Sequence, residues 1–283
     1  MLPAIPLLVQ AGMALVASYG GYWYYDQNLR DLDGDLNMPM LKFDLNINIF
    51  GQTEALNALV KKLNEVPSGY GADVIVLFGG VGVGKTLALS LIRQNFSQQR
   101  VITSVIQQNL EDLSQSQELH RTLKSNLCRV KNGFALVTVD NADISSVDLW
   151  RFVKAVDNIC LQFKIKAKVV IGAQLFRETS SENVRDLISH SFKSEDEYTK
   201  YINDKNQKVC SYFNRCSAIM FRPISLDTLK MCISASAKTL TRMDLTEKQM
   251  GYLLAQITEV GLDYVPGGCK SVENYVALLH DGL

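Results

Sequence analysis

Apolar residues recur along this chain in two rhythms, and their alternation defines a fold class. Between Thr53 and Leu63, the residues Leu56, Leu59, Val60 and Leu63 stand at i, i+3, i+4 and i+7. That is one face of a helix, with Gln52 or Thr53 where a cap belongs. Val74-Ile-Val-Leu-Phe78 follows as an unbroken apolar run entered through Asp73, and similar runs lie at Val101–Ile106, Phe134–Val139, Lys168–Ile171 and Ala218–Phe221. Helical patterns separate them at Thr86–Phe96, Leu110–Cys128 and Ser146–Phe163, and more weakly at Ser181–Phe192 and Asp196–Lys205. Strands apolar on both faces, alternating with helices, predict an α/β domain with a mostly parallel sheet of about five strands. Its span is residues 46–222. The preceding residues 26–45 are acidic without a clear period and read as a linker.

After Pro223 the rhythm changes. Three helical segments follow with no strand between them: Leu226–Thr241 opened by Ser225, Glu247–Val260 opened by Thr246, and Val272–Leu279 opened by Ser271. Pro266-Gly267-Gly268 separates the last two and cannot be helix interior. Residues 223–283 therefore read as a small helical C-terminal domain.

The charges are uneven. The chain has 283 residues with 29 basic and 29 acidic side chains, yet none of them, and no histidine, lies between Met1 and Tyr25. Zero net charge argues against a broad nucleic-acid footprint, so no nucleic acid is expected as a partner. The uncharged stretch is long enough for the roughly 20 apolar residues that span a bilayer. It is interrupted by Pro3, Pro6, Gln10, Gly12, Gly20 and Gly21, and closes on Tyr19, Tyr22, Trp23, Tyr24 and Tyr25, rings that favour a membrane–water interface. Residues 1–25 read as a membrane-associated segment. A signal peptide cleaved after Ala11 and a buried N-terminal helix are the alternatives.

The six cysteines show no C-x-x-C and no zinc spacing. One or two bridges are possible in an oxidising compartment, and Cys210 with Cys216 fits either a local bridge or two buried thiols. Asn95-Phe96-Ser97 matches a glycosylation sequon that often arises by chance. His120, His190 and His280 are isolated and suggest no metal site. The final His280-Asp-Gly-Leu283 falls one residue short of a retention signal and reads as chance.

The strongest motif is Gly79-Gly80-Val81-Gly82-Val83-Gly84-Lys85-Thr86, which fits G-x-x-x-x-G-K-[ST] between the run ending at Phe78 and a helix that continues through Leu87. Glycines let backbone N–H groups turn inward around an anion, and the helix N-terminus adds its dipole. Lys85 would reach the β- and γ-phosphates of ATP, and Thr86 would ligate Mg²⁺. A second element is Asp140, at the end of the run Ala135–Val139, positioned to hold the Mg²⁺. Ring-type ATPases normally place Glu next, to polarise the attacking water. Here it is Asn141, an amide that takes no proton, so a general-base contribution of roughly 10²–10⁴-fold is expected to be missing. Asp143 stands close by in sequence.

The order of helix, phosphate loop, acidic strand, further strand and helical lid resembles the AAA+ plan. Local strings resemble the torsins, AAA+ ATPases of the endoplasmic reticulum and nuclear envelope lumen. Asn48-Ile-Phe-Gly-Gln52 is similar to their N-L-F-G-Q string, Leu229-Lys-Met-Cys232 to the cysteine-bearing string of the first lid helix, and Gly268-Cys269-Lys270 to their sensor-2 motif. The uncharged N-terminus, with Val9-Gln-Ala11 before an aromatic hydrophobic stretch, resembles theirs too.

This resemblance implies Lys85 and Thr86 on phosphates and Mg²⁺, Asp140 as the Walker B acid, Gln174 near the sensor-1 position and Lys270 as sensor 2. It also implies a redox-sensitive pair, Cys232 and Cys269, beside the nucleotide. It implies membrane association in the lumen and a membrane-anchored activator that supplies an arginine, with a homo- or hetero-oligomer as a further option. The chain departs from the torsin pattern at Thr86, where torsins usually carry Asn, at Asn141 in place of Glu, and at Gln174 in place of Asn. Two functions follow. One is a weak or partner-activated ATPase with chaperone-like remodelling activity. The other is a non-hydrolysing, nucleotide-locked scaffold, which Asn141 favours. A nucleoside kinase is disfavoured by the all-helical C-terminus.

Overall fold

The computed structural model describes residues 37–96, 101–106, 117–128, 134–143, 146–174, 210–242, 244–258, 262–265 and 267–281, with a few positions between 194 and 200. Residues 37–283 form one compact unit. The expected helices Ser181–Phe192 and Asp196–Lys205 fall almost wholly outside the described residues, as do residues 1–25. Among the described residues no helix is long and apolar enough to cross a membrane.

Two helices, α1 (Met38–Asn48) and α2 (Thr53–Asn64), precede β1 (Gly71–Phe78) and α3 (Lys85–Gln94). Then come β2 (Val101–Ile106), α4 (Gln117–Leu127), β3 (Ala135–Asp143), α5 (Val147–Gln162), β4 (Lys166–Gln174) and β5 (Cys216–Met220). The five strands make a parallel sheet in the order β2-β3-β4-β1-β5. One face carries Val74, Val76, Val137, Val139, Val169 and Ile171, packed on Phe152, Val153, Val156 and Ile159 of α5. The other meets α2 and α3: a Cβ built on Gly172 would lie 2.8 Å from Leu89 of α3. Burial on both faces explains why β1, β3 and β4 are apolar without alternation.

Lys168 breaks that apolar rule. It sits mid-strand in β4 at 1% exposure. Its ammonium donates to the carbonyls of Lys62 (2.6 Å), Leu63 (2.7 Å) and Glu65 (2.5 Å) at the end of α2. The last carbonyls of a helix lack intrahelical partners and carry partial negative charge, so the buried cation finishes the helix and ties it to the sheet. Burial lowers the Lys168 pKa to about 8, opposed by the nearby Asp73 and Glu65 carboxylates.

Residues 38–45, expected in a linker, instead form most of α1. Asn37 Oδ1 accepts from the Met40 N–H at 3.1 Å, and Pro39 lies in the first turn. Leu41 and Leu45 are fully buried, whereas Phe43 and Ile47 point outward at 59% and 51% exposure. Apolar residues on two faces hide the helical period. Asn95 joins α1 to α3: its side-chain amide donates to Asp44 Oδ2 (2.8 Å) and to the Leu91 carbonyl (3.0 Å). The sequon asparagine is thus 7% exposed and engaged.

The C-terminal part contains β6 (Ile224–Ser225), α6 (Leu226–Thr241), α7 (Glu247–Ile257), β7 (Tyr264–Val265) and α8 (Val272–Asp281). Ser225 caps α6 through the Thr228 N–H, and Thr246 with Gln249 forms a full capping box on α7. The expectation of no strand here is corrected. Ile224 pairs antiparallel with Val265 and Ser225 with Tyr264. Two-residue strands carry no readable period.

Replacing Lys168 with Met strips the α2 carbonyls of a charged donor, and hydrogen bonds to charged groups are worth about 1.5–3 kcal/mol. Urea unfolding of Lys168→Met should show a loss of that order, through a lower midpoint at unchanged slope. An unchanged midpoint would show that the cation stabilises nothing.

Candidate phosphate-binding site

The loop between β1 and α3 takes its shape from glycine. Gly84 caps α3 at φ 103°, a region closed to most side chains, and a Cβ there would press on Ile49 at 2.8 Å. Gly82, at φ 70°, accepts a hydrogen bond from the Cys269 N–H at 3.1 Å, and a Cβ on it would overlap the Gly267 carbonyl. The C-terminal turn 267–270 therefore rests directly on the phosphate loop.

Lys85 donates from Nζ to the Gly79 carbonyl at 2.9 Å and to the Gly80 carbonyl. Burial pulls its pKa down to about 8, and the Asp140 carboxylate opposes the fall. Thr86 Oγ1 lies 3.1 Å from Asp140 Oδ1, and the same oxygen accepts from the Asn141 N–H at 2.9 Å. A hydroxyl and a carboxylate held together beside an ammonium and a helix N-terminus fit a phosphate chain with Mg²⁺. Thr86 and Asp140 would hold the ion, which would neutralise phosphate charge.

A cavity of about 610 Å³ opens over this loop. Its floor is Gly79–Leu87 with Ser90, and Ile49, Phe50 and Ile224 give it an apolar wall beside Asn48. Asn141, Cys232, Cys269 and Lys270 complete the lining. The structure thus gathers nearly every residue singled out in the sequence around one space. Gln174 is the last residue of β4, in register with Asp143. Cys232 of α6 and Cys269 form a disulfide, and Cys210 with Cys216 forms a second at the start of β5. Cys128 and Cys160 are free thiols.

Sequence reasoning missed the hinge. Gln52, read as a helix cap, makes no side-chain cap bond. Its amide instead pairs with the backbone of Arg222, donating to the carbonyl and accepting from the N–H, each at 2.8 Å. This 3% exposed glutamine fixes the wall segment 48–50 to the junction between the sheet and the C-terminal helices. The signal was present in the Asn48–Gln52 string, without its geometry.

No protein-family model matches the chain, and no curated protein does. Solved structures do. AMPPCP-bound DnaA from Aquifex aeolicus matches at 16% identity and TM-score 0.50, covering 84% of this chain and 64% of that one. The replication initiator DnaA bound to AMPPCP and single-stranded DNA matches at 15% and TM-score 0.52, covering 84% and 65%. A DNA replication initiation factor matches at 16% and TM-score 0.50, covering 81% and 61%. This chain spans less than two thirds of the length of these proteins. The fold is that of an AAA+ P-loop domain with a helical C-terminal part.

Phosphate binding favours the Lys85 cation, so the bound form holds its proton more tightly than the free form with its pKa of about 8. Affinity is then full below that value and falls as pH rises through it, because binding must take up a proton. Titration calorimetry with ATP and Mg²⁺ from pH 7 to 10 should show this decline. An affinity flat over that range would contradict it.

Proposed function

We propose that this chain is a torsin-like AAA+ ATPase of an oxidising lumen. It binds ATP with Mg²⁺ at Lys85, Thr86 and Asp140, and hydrolyses it slowly. The observation that carries this reading is the Cys232–Cys269 disulfide beside the phosphate loop, with the Cys269 N–H bonded to Gly82. The covalent tie and the loop contact share one residue, and both cysteines line the cavity, so the thiol state bears directly on the nucleotide site. Lys270, next in the chain, lines the cavity and serves as sensor 2 in this reading.

Two disulfides among the described residues support an oxidising compartment, in keeping with a site in the endoplasmic reticulum or nuclear envelope. In this reading residues 1–25 attach the protein to the membrane, and Gln174 serves at the sensor-1 position. A membrane-anchored activator supplies an arginine, within a homo- or hetero-oligomer, and the ATPase cycle drives chaperone-like remodelling. Nucleic acid has no part in it. One DnaA neighbour carries single-stranded DNA, but the 29 basic and 29 acidic side chains of this chain leave no net positive charge to draw nucleic acid.

A second reading is favoured by Asn141, which lines the cavity where a glutamate is usual. In that case the protein binds ATP, keeps it, and acts as a nucleotide-locked scaffold.

The test is ATP affinity in oxidised and reduced protein, alongside Cys269→Ser. The proposal expects reduction and the substitution to shift affinity in the same direction. Identical affinities in all three would contradict it. Turnover that vanishes in Lys85→Ala would exclude the scaffold.

A further inference from the structure

The pairing of β3 with β4 slips by one residue near the end of β3. Val139 lies opposite Ile171, but Ala142 lies opposite Ala173 and Asp143 opposite Gln174. Asp140 and Asn141 together therefore oppose the single residue Gly172, which is a β-bulge. Asn141 takes the left-handed conformation at φ 54°. Asparagine tolerates that region far better than glutamate, so the bulge and the amide at this position belong together.

The slip changes which face each later residue occupies. Before it, Val137 and Val139 point toward α5, and after it Ala142 joins that same core with Ala173. Asp143 must then lie on the opposite face, with Asp140 and Gly172. That is the face where Thr86 meets Asp140. In a regular strand Asp143 would share the side of Val139, turned away from the phosphate loop. The bulge thus brings a second carboxylate to the nucleotide side, two strand steps or about 7 Å beyond Asp140. Asp143 is only half-buried there.

We propose that Asp143 is the carboxylate that orients and deprotonates the attacking water, the task left open by Asn141. The inference rests on the ATP-hydrolysing reading above. Asp143 takes a proton from the water as the water oxygen bonds to the γ-phosphorus. The bond from that phosphorus to the β–γ bridging oxygen breaks, and its electron pair leaves with ADP. Asp143 then returns the proton to solvent, leaving ADP, phosphate and one released proton.

The experiment uses the full chain, the parent against Asp143→Asn and Asp143→Glu. Three readouts are taken: AMPPCP affinity, the identity of nucleotide retained after long single-turnover incubation with ATP and Mg²⁺, and the pH dependence of conversion. The proposal expects Asp143→Asn to bind AMPPCP like the parent, to retain ATP rather than ADP, and to convert it 10²–10⁴-fold more slowly, the usual worth of a general base. The acid limb of the pH profile should vanish with it, and Asp143→Glu should recover part of the rate. Conversion by Asp143→Asn at the parental rate would overturn the proposal, as would loss of AMPPCP affinity in step with rate. A parent that binds AMPPCP but never converts ATP would also overturn it, while leaving nucleotide binding intact. A parent that binds no AMPPCP would remove the underlying reading as well.

Discussion

The contact between Gly82 and the turn 267–270 is the constraint on which the site depends. A side chain at Gly82 would collide with the Gly267 carbonyl, and the Cys269 N–H bonds to the Gly82 carbonyl. A loop built to turn its N–H groups toward an anion thus offers one of its outward carbonyls to the C-terminal part of the chain. The disulfide from Cys269 to Cys232 then anchors that turn to α6, and the Gln52–Arg222 pairing fixes the hinge from which α6 departs. Loop, turn, helix and hinge close a circuit around the cavity. Movement of the C-terminal part must therefore pass through the phosphate loop.

The sheet contributes Asn141 to the cavity lining and Asp140 to the charge beside it. Its apolar strands bring Lys85 and Asp140 to one edge, where burial depresses the lysine and the carboxylate opposes that shift. On the same face Lys168 fixes the end of α2 by donating to its last carbonyls. Both lysines occupy places where a cation is costly unless paired or hydrogen-bonded, and each donates to backbone carbonyls: those of Gly79 and Gly80 at Lys85, the last carbonyls of α2 at Lys168.

Much of this was legible in the residues. The phosphate loop announced itself by spacing, and the five apolar runs foretold the strands, of which β1, β3 and β4 are buried on both faces and so cannot alternate. What stayed hidden was geometry with no periodic trace. The helix over Met38–Asn48 was concealed by Phe43 and Ile47 on its outer face, and the Ile224–Ser225 and Tyr264–Val265 ribbon is too short to leave a rhythm. Gln52 looked like a cap because position is readable and direction is not. The bulge at Asp140–Asn141 depends on pairing with a distant strand, which no local pattern encodes. The Cys232–Cys269 pairing entered through a resemblance, since spacing alone left the cysteines open.

The central claim is that the loop 79–86 grips phosphate through its backbone N–H groups while the 267–270 turn rests on it. Amide hydrogen exchange of the oxidised full chain, with and without AMPPCP and Mg²⁺, tests this most directly. The account predicts slowed exchange in 82–86 and in 268–270 together, with α7 unchanged. Protection of neither segment, or of some distant surface instead, would contradict it.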